Sequence, residues 1–375
     1  MKVVLVIDVL NGHNGTVKVM RNIAYGIASR NELKVIFFGR SRDYQNVLRI
    51  FDGFDYKFFD SGFLGKVEKL LLHSFLRFHT NIREDDVTSF LNQFLLQKFL
   101  KDVSYRPDLI IYSSPLSSLY ALFNGDSRNV VFLHESPTFD DFALPIRKVL
   151  QFYIRMLSHK SLFISITEGI AEKTEMIYGF KCKTLEPIGF FDYDISEKKN
   201  LILLDTRWTD DRNPFFALSL AKYLPEVRII MHGIFPDDKL REQVANEIKS
   251  HSLNIELVSG ITEADLIKLY EDAKVVMRWS ADHESGPSVA VSYAISHKCI
   301  PIIDNKLQIS NFIKENISEK LVVNRDPEDF ARIAKIIFED DSFYGAMVQK
   351  VTECSRKYSW TEYSERLLNK ISESP

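Results

Sequence analysis

Short apolar runs alternate with helix-length segments along the chain, and the alternation occurs twice. In the N-terminal half the runs are residues 3–9, interrupted by Asp8, then 34–39, 109–113, 130–134 and 163–167. In the C-terminal half they are 201–204, 228–232, 255–258, 275–277 and 300–303. Apolar runs of this length suit strands buried on both faces, and strands that alternate with helices pair in parallel through crossovers. The fold class predicted is therefore α/β, with two doubly wound, Rossmann-like domains. A chain of 375 residues with a hydrophobic share of 45% is long enough to give each its own core.

Several function classes fall away at this stage. A net charge of -3, with no strongly basic half, argues against nucleic acid as a partner, since phosphate backbones need clustered Lys and Arg. Cys182, Cys299 and Cys354 are too widely spaced for a metal cluster and point to a reducing compartment. The N-terminal run is too short for a signal peptide or a membrane span, so a cytoplasmic location is expected.

Ligand-facing positions come from where strands end. Open α/β sheets bind ligands at the C-terminal ends of their strands. The turn 11–16 carries Gly15 and Thr16 between the first strand and a helix expected over 17–29, although its glycine spacing is not a dinucleotide fingerprint. His134 ends its strand, with Glu135 beside it, and the alternative role is packing or capping. In the loop after 201–204, Arg207 and Arg212 suit a diphosphate, which a guanidinium grips through parallel hydrogen bonds; a merely solvated loop is the alternative. The stretch 274–304 reads as strand, polar turn, helix, strand. There Ser285 to Ser288 can cap the helix, Pro287 suits its first turn, and the free amides attract phosphate. Glu284, just outside, can accept hydrogen bonds from ligand hydroxyls or simply face the helix dipole.

The stretch 284–303 resembles the signature of retaining glycosyltransferases of family 4, which have the GT-B fold. Glu284 matches the first Glu of that signature, Gly286, Pro287 and Ser288 its loop, and 299–303 its closing strand. The second Glu, which holds the nucleotide ribose in the family, is missing: its slot falls to Ser292 or, with one insertion, Tyr293. Arg207 and Arg212 match the family's basic pair, Gly15 and Thr16 its phosphate loop, and His134 its His beside the donor sugar. Gly233, and the turn of Ser259 and Gly260, fall where the family holds the donor nucleotide. At the expected crossing, Gly189 and Asp192 keep a family motif in which Ile188 replaces Asn.

The resemblance implies two Rossmann-like domains facing a central cleft. Residues 1–190 would bind the acceptor, 191–355 the nucleotide sugar, and 356–375 would return as a helix to the first domain. The implied activity is transfer of a hexose, with retention, from a nucleotide-diphosphate sugar to a glycan or lipid-linked acceptor. Domain closure brings Gly15, Thr16 and His134 over the anomeric carbon and excludes water. Developing charge on the diphosphate is met by arginine, so no metal and no cofactor is expected. Two rivals remain: a nucleotide-sugar epimerase or phosphorylase of the same fold, and a non-catalytic sugar-binding scaffold.

Residues 63–79 and 144–160 are apolar and basic at once. Such helices suit a membrane interface, giving peripheral attachment to the inner face of a membrane; core packing with a solvated basic edge is the alternative.

Overall fold

The computed structural model describes residues 1–8, 15–39, 51–60, 105–123, 125–140, 144–194, 197–280 and 288–373. The expected amphipathic segment at 63–79, and Glu284, Gly286 and Pro287, lie outside them. The chain divides into two compact units, Met1–Pro187 with Trp360–Pro375, and Ile188–Ser359.

In the first unit, β1 (Lys2–Asp8) leads to helix α1 (Gly15–Ala28), followed by β2 (Glu32–Gly39), β3 (Tyr56–Asp60), β4 (Leu109–Tyr112) and β5 (Arg128–Leu133). Helix α2 (Leu144–Ser158), β6 (Leu162–Ser165), α3 (Glu168–Tyr178) and β7 (Lys183–Thr184) complete the run. The described strands form one parallel sheet ordered β3-β2-β1-β4-β5-β6-β7. Val3 to Val6 and Ile110 to Tyr112 have no exposure, as expected for strands covered on both faces.

The second unit contains β8 (Lys199–Asp205), α4 (Pro214–Tyr223), β9 (Arg228–His232), α5 (Asp238–Ser250), β10 (Ile255–Val258), α6 (Glu263–Asp272) and β11 (Ala273–Arg278). Then come α7 (Val289–Ser296), β12 (Ile300–Asp304), α8 (Ser310–Asn316), β13 (Val322–Val323), α9 (Pro327–Glu339) and α10 (Asp341–Lys357). Its parallel sheet is ordered β10-β9-β8-β11-β12-β13. A Thr262–Asp265 capping box starts α6.

Helix α11 (Trp360–Ser372) belongs to the first unit and packs on α1. Gly26 makes this approach feasible: a Cβ there would collide with the Trp360 carbonyl and Ser364 Oγ. Lys370 Nζ donates to the Thr184 carbonyl at 2.6 Å and Lys183 Nζ to the Lys370 carbonyl at 2.8 Å, fixing the far end. Residue 356, where the returning segment was expected to begin, lies inside α10; the return starts at Trp360. No helix among the described residues is long and apolar enough to cross a membrane.

Candidate functional site

In the second sheet the strand order reverses between β8 and β11, so the loops after these two strands flank the position where doubly wound sheets take ligands. The loop after β8 is held at its base by Trp208, which is fully buried. Trp208 Nε1 donates to the His232 carbonyl at 3.1 Å and its backbone N–H to Ile234 at 2.8 Å. With the neighbouring indole fixed, Arg207 is presented on the surface. A 3₁₀ turn over Asp210–Arg212 and a left-handed Asn213 (φ 44°) then lead into α4, opened by Pro214. Arg212 is half-buried. Asp211 beside it sits below the usual carboxylate range, through a hydrogen bond from Thr209 and, against a small burial effect, the Arg212 charge.

The loop after β11 is tied to this one. Trp279, 2% exposed, donates Nε1–H to the Arg212 carbonyl at 2.7 Å. Ser280 donates both its backbone N–H and its hydroxyl to Asp304 Oδ2, each at 2.8 Å. The other oxygen of this buried carboxylate accepts from the N–H groups of Lys306 at 2.8 Å and Leu307 at 3.0 Å. Beyond the undescribed stretch, Ser288 is buried at the N-cap position of α7, but its side chain makes no capping bond. The helix begins at Val289, later than the expected start near Pro287.

Of the two positions where the resemblance implies a Glu, Tyr293 is held by aromatic packing. Tyr293 lies against Tyr270 at 5.5 Å and His297 at 6.2 Å, and its hydroxyl donates to Glu263 Oε1 at 3.3 Å. Half-buried Ser292 donates its backbone N–H to Ser288. The turn of Ser259 and Gly260 is exposed, with Gly260 at φ 70°. Gly233 has φ 134°, and a Cβ there would fall onto the Thr206 carbonyl, so the residue before Arg207 can approach only a glycine.

Three polar residues that sequence reasoning did not single out end the central strands. Asp205 Oδ1 meets His232 Nδ1 at 2.8 Å, and Asp205 Oδ2 accepts from the Tyr270 hydroxyl at 2.6 Å. Burial, with Asp205 adjacent, holds the Tyr270 phenol well above its ordinary range, so it stays a donor. Arg278 is buried at the end of β11, with Nη1 donating to the Trp279 carbonyl at 3.0 Å. The signal was available: LILLD, RIIMH and KVVMR are apolar runs that each end on a charged or titratable residue.

In the first unit the order reverses between β1 and β4. Gly15 and Thr16 open α1 after β1, so both belong to the helix's first turn, which starts two residues earlier than expected. His134 directly follows β5 and stacks on Phe132 at 6.1 Å. Its Nε2 is enclosed and has no hydrogen-bond partner among the described residues. Burial pushes the imidazole down from 6.5 to about 4, so it is neutral near pH 7 and suited to a neutral hydroxyl rather than to an anion. Among the described residues no three His, Cys, Asp or Glu side chains gather as a metal site.

Solved structures with this architecture are numerous. HepE of Anabaena, solved with UDP and glucose, superposes with a TM-score of 0.66 at 12% identity, covering 99% of both chains. A TarM variant of S. aureus, solved with UDP and alpha-GlcNAc-glycerol, gives 0.66 at 14% identity, again over 99% of both. The UDP-GlcNAc 2-epimerase of Neisseria meningitidis, bound to UDP-GlcNAc, gives 0.58 at 13% identity over 100% of both.

The chain has the GT-B fold.

No protein-family model and no curated protein matches the sequence. Within the second unit of this GT-B chain, the loop that carries Arg207 and Arg212 follows β8, and the Trp279 bond ties it to the end of β11 at the β8–β11 switch. Gly233 supports the same loop from below, whereas Ser259 and Gly260 lie towards the sheet edge, after β10.

Proposed function

We propose that this chain is a retaining glycosyltransferase of family 4 that moves a hexose from a nucleotide-diphosphate sugar to a glycan or lipid-linked acceptor. The observation that supports the reading is the 2.7 Å bond from Trp279 to the Arg212 carbonyl, which joins the two loops flanking the strand-order reversal, one of them the loop that carries Arg207 and Arg212. Arg207 and Arg212 then neutralise the diphosphate as charge develops on it, the largest catalytic contribution in such a step, and no metal is required. Glu284 and the first amides of α7 take the sugar hydroxyls and the phosphate. Glu263, hydrogen-bonded to Tyr293, supplies the carboxylate for the ribose in place of the family's second Glu. His134, as a neutral imidazole with an unpaired Nε2, accepts or donates a bond to a sugar hydroxyl. Gly15 and Thr16 serve the phosphate end of the donor, and Gly233, Ser259 and Gly260 its nucleotide.

Because HepE and TarM were solved with UDP, UDP-sugars are the first donors to test. The double substitution Arg207→Ala with Arg212→Ala should abolish transfer and nucleoside diphosphate binding while leaving the melting temperature unchanged. A double variant of normal rate would refute the site. Chelator should leave the rate of the native protein unaltered. The epimerase likeness supplies a second outcome: conversion of a UDP-sugar to its epimer without acceptor would replace transfer with epimerisation.

A further inference from the structure

Helix α2 has two faces of opposite character. Tyr153, Ile154 and Leu157 are buried, and the Tyr153 hydroxyl donates to the Pro115 carbonyl at 2.9 Å, which seats that face on the first unit. On the other face, Val149, Phe152 and Met156 are 67%, 64% and 43% exposed. Their spacing of three and four residues places them in one stripe. Lys148 and Arg155, both exposed, stand four before and three after Phe152 and therefore border the stripe. The helix sequence, LPIRKVLQFYIRMLS, contains no acidic residue. Arg147 is engaged by Asp140 at 2.8 Å and is not counted with the bordering cations.

Large apolar side chains aligned in water are unfavourable unless something covers them, and a cationic border selects what does. We propose that this face of α2 docks on an anionic lipid surface. Val149, Phe152 and Met156 enter the boundary between head groups and acyl chains, and Lys148 and Arg155 meet the lipid phosphates. Charge complementarity favours lipid over a second copy of the same face, because two such faces would bring four cations together. The inference goes beyond the glycosyl-transfer reading and stands without it, since none of these residues is among those assigned to the donor.

The test is co-sedimentation of the full chain with vesicles of phosphatidylcholine alone or mixed with phosphatidylglycerol. Binding is expected to the anionic vesicles, weakening as salt is raised. Lys148→Gln with Arg155→Gln should lower the partition coefficient about thirtyfold, roughly fivefold for each cation removed. Val149→Asp with Phe152→Asp should abolish binding. These residues are exposed, so both variants should keep the native melting temperature and native nucleoside diphosphate affinity; the second readout separates this proposal from the one on the donor site. The proposal is overturned if the native chain ignores anionic vesicles. It is also overturned if the aspartate variant binds them as well as the native chain does, or if the substitutions instead dissolve a dimer seen by analytical ultracentrifugation.

Discussion

Replacing Gly233 by alanine separates the two reasons a glycine stands there. The first is conformational: φ 134° is a region that side-chain-bearing residues rarely adopt, at about 1–3 kcal/mol. The second is steric. A Cβ would lie 2.8 Å from the Thr206 carbonyl carbon, nearer still to its oxygen, and 3.5 Å from Trp208 Cδ1. The obstacle is backbone, pinned by the Thr206 N–H bond to His232 at 3.2 Å and the Trp208 bond to Ile234 at 2.8 Å. Forcing it back by about 1 Å adds roughly 1–3 kcal/mol of overpacking. Gly260→Ala is the control, because it has φ 70° but nothing within 4 Å of the added carbon. That substitution meets only the left-handed strain, about 1–2 kcal/mol. With roughly 2–4 °C per kcal/mol for a unit of this size, Gly233→Ala should lower the melting temperature by on the order of 10 °C, against about 4 °C for Gly260→Ala. Since the residue after Thr206 is Arg207, the displaced loop should also weaken nucleoside diphosphate binding about tenfold, near 1.4 kcal/mol by calorimetry. Equal melting temperatures for the two variants would refute the steric argument. A destabilised Gly233→Ala of native affinity would detach the loop from the ligand.

Two other perturbations follow from buried polar groups. Asp304→Ala strands the N–H groups of Ser280, Lys306 and Leu307, and should destabilise the second unit by about 3 kcal/mol or more, read as a lower denaturation midpoint. His134 and His297 are each pushed to about 4, chiefly by burial and, at His297, also by Lys198 and Lys298. Between pH 6.5 and pH 4 the unfolded chain therefore binds more protons than the folded one, so stability is full above pH 6.5 and falls through that window, by up to about 3 kcal/mol for each histidine. Melting temperatures across pH 7 to 4 should show the loss, and His134→Gln should remove about half of it, the His297 share remaining; a variant whose profile matches the native one would mean that folding does not depress the His134 pKa.

Much of the architecture was legible because it rests on local pattern. Uninterrupted apolar runs at 109–113 and 201–204 mark strands wherever they pack. The edge strand Tyr56–Asp60 was missed because YKFFD opens with a lysine between aromatics and shows no buried-strand run. At the proposed site, the arginines were legible as charge after a strand, and helix α7 as a Ser-rich start. The Glu263–Tyr293 pair was not, because residues thirty apart become neighbours only when α6 and α7 cover the same face of the sheet.

The sequence by itself determined two alternating α/β units and where their strands end, since strand and helix periodicities are properties of consecutive residues. Tertiary structure alone decided that Trp279 reaches Arg212, that Gly233 must make room for Thr206, and that α11 returns to α1 across Gly26. Those contacts join residues distant in sequence, and what fixes them is the strand order of each sheet and the close packing above it, neither of which any local pattern encodes.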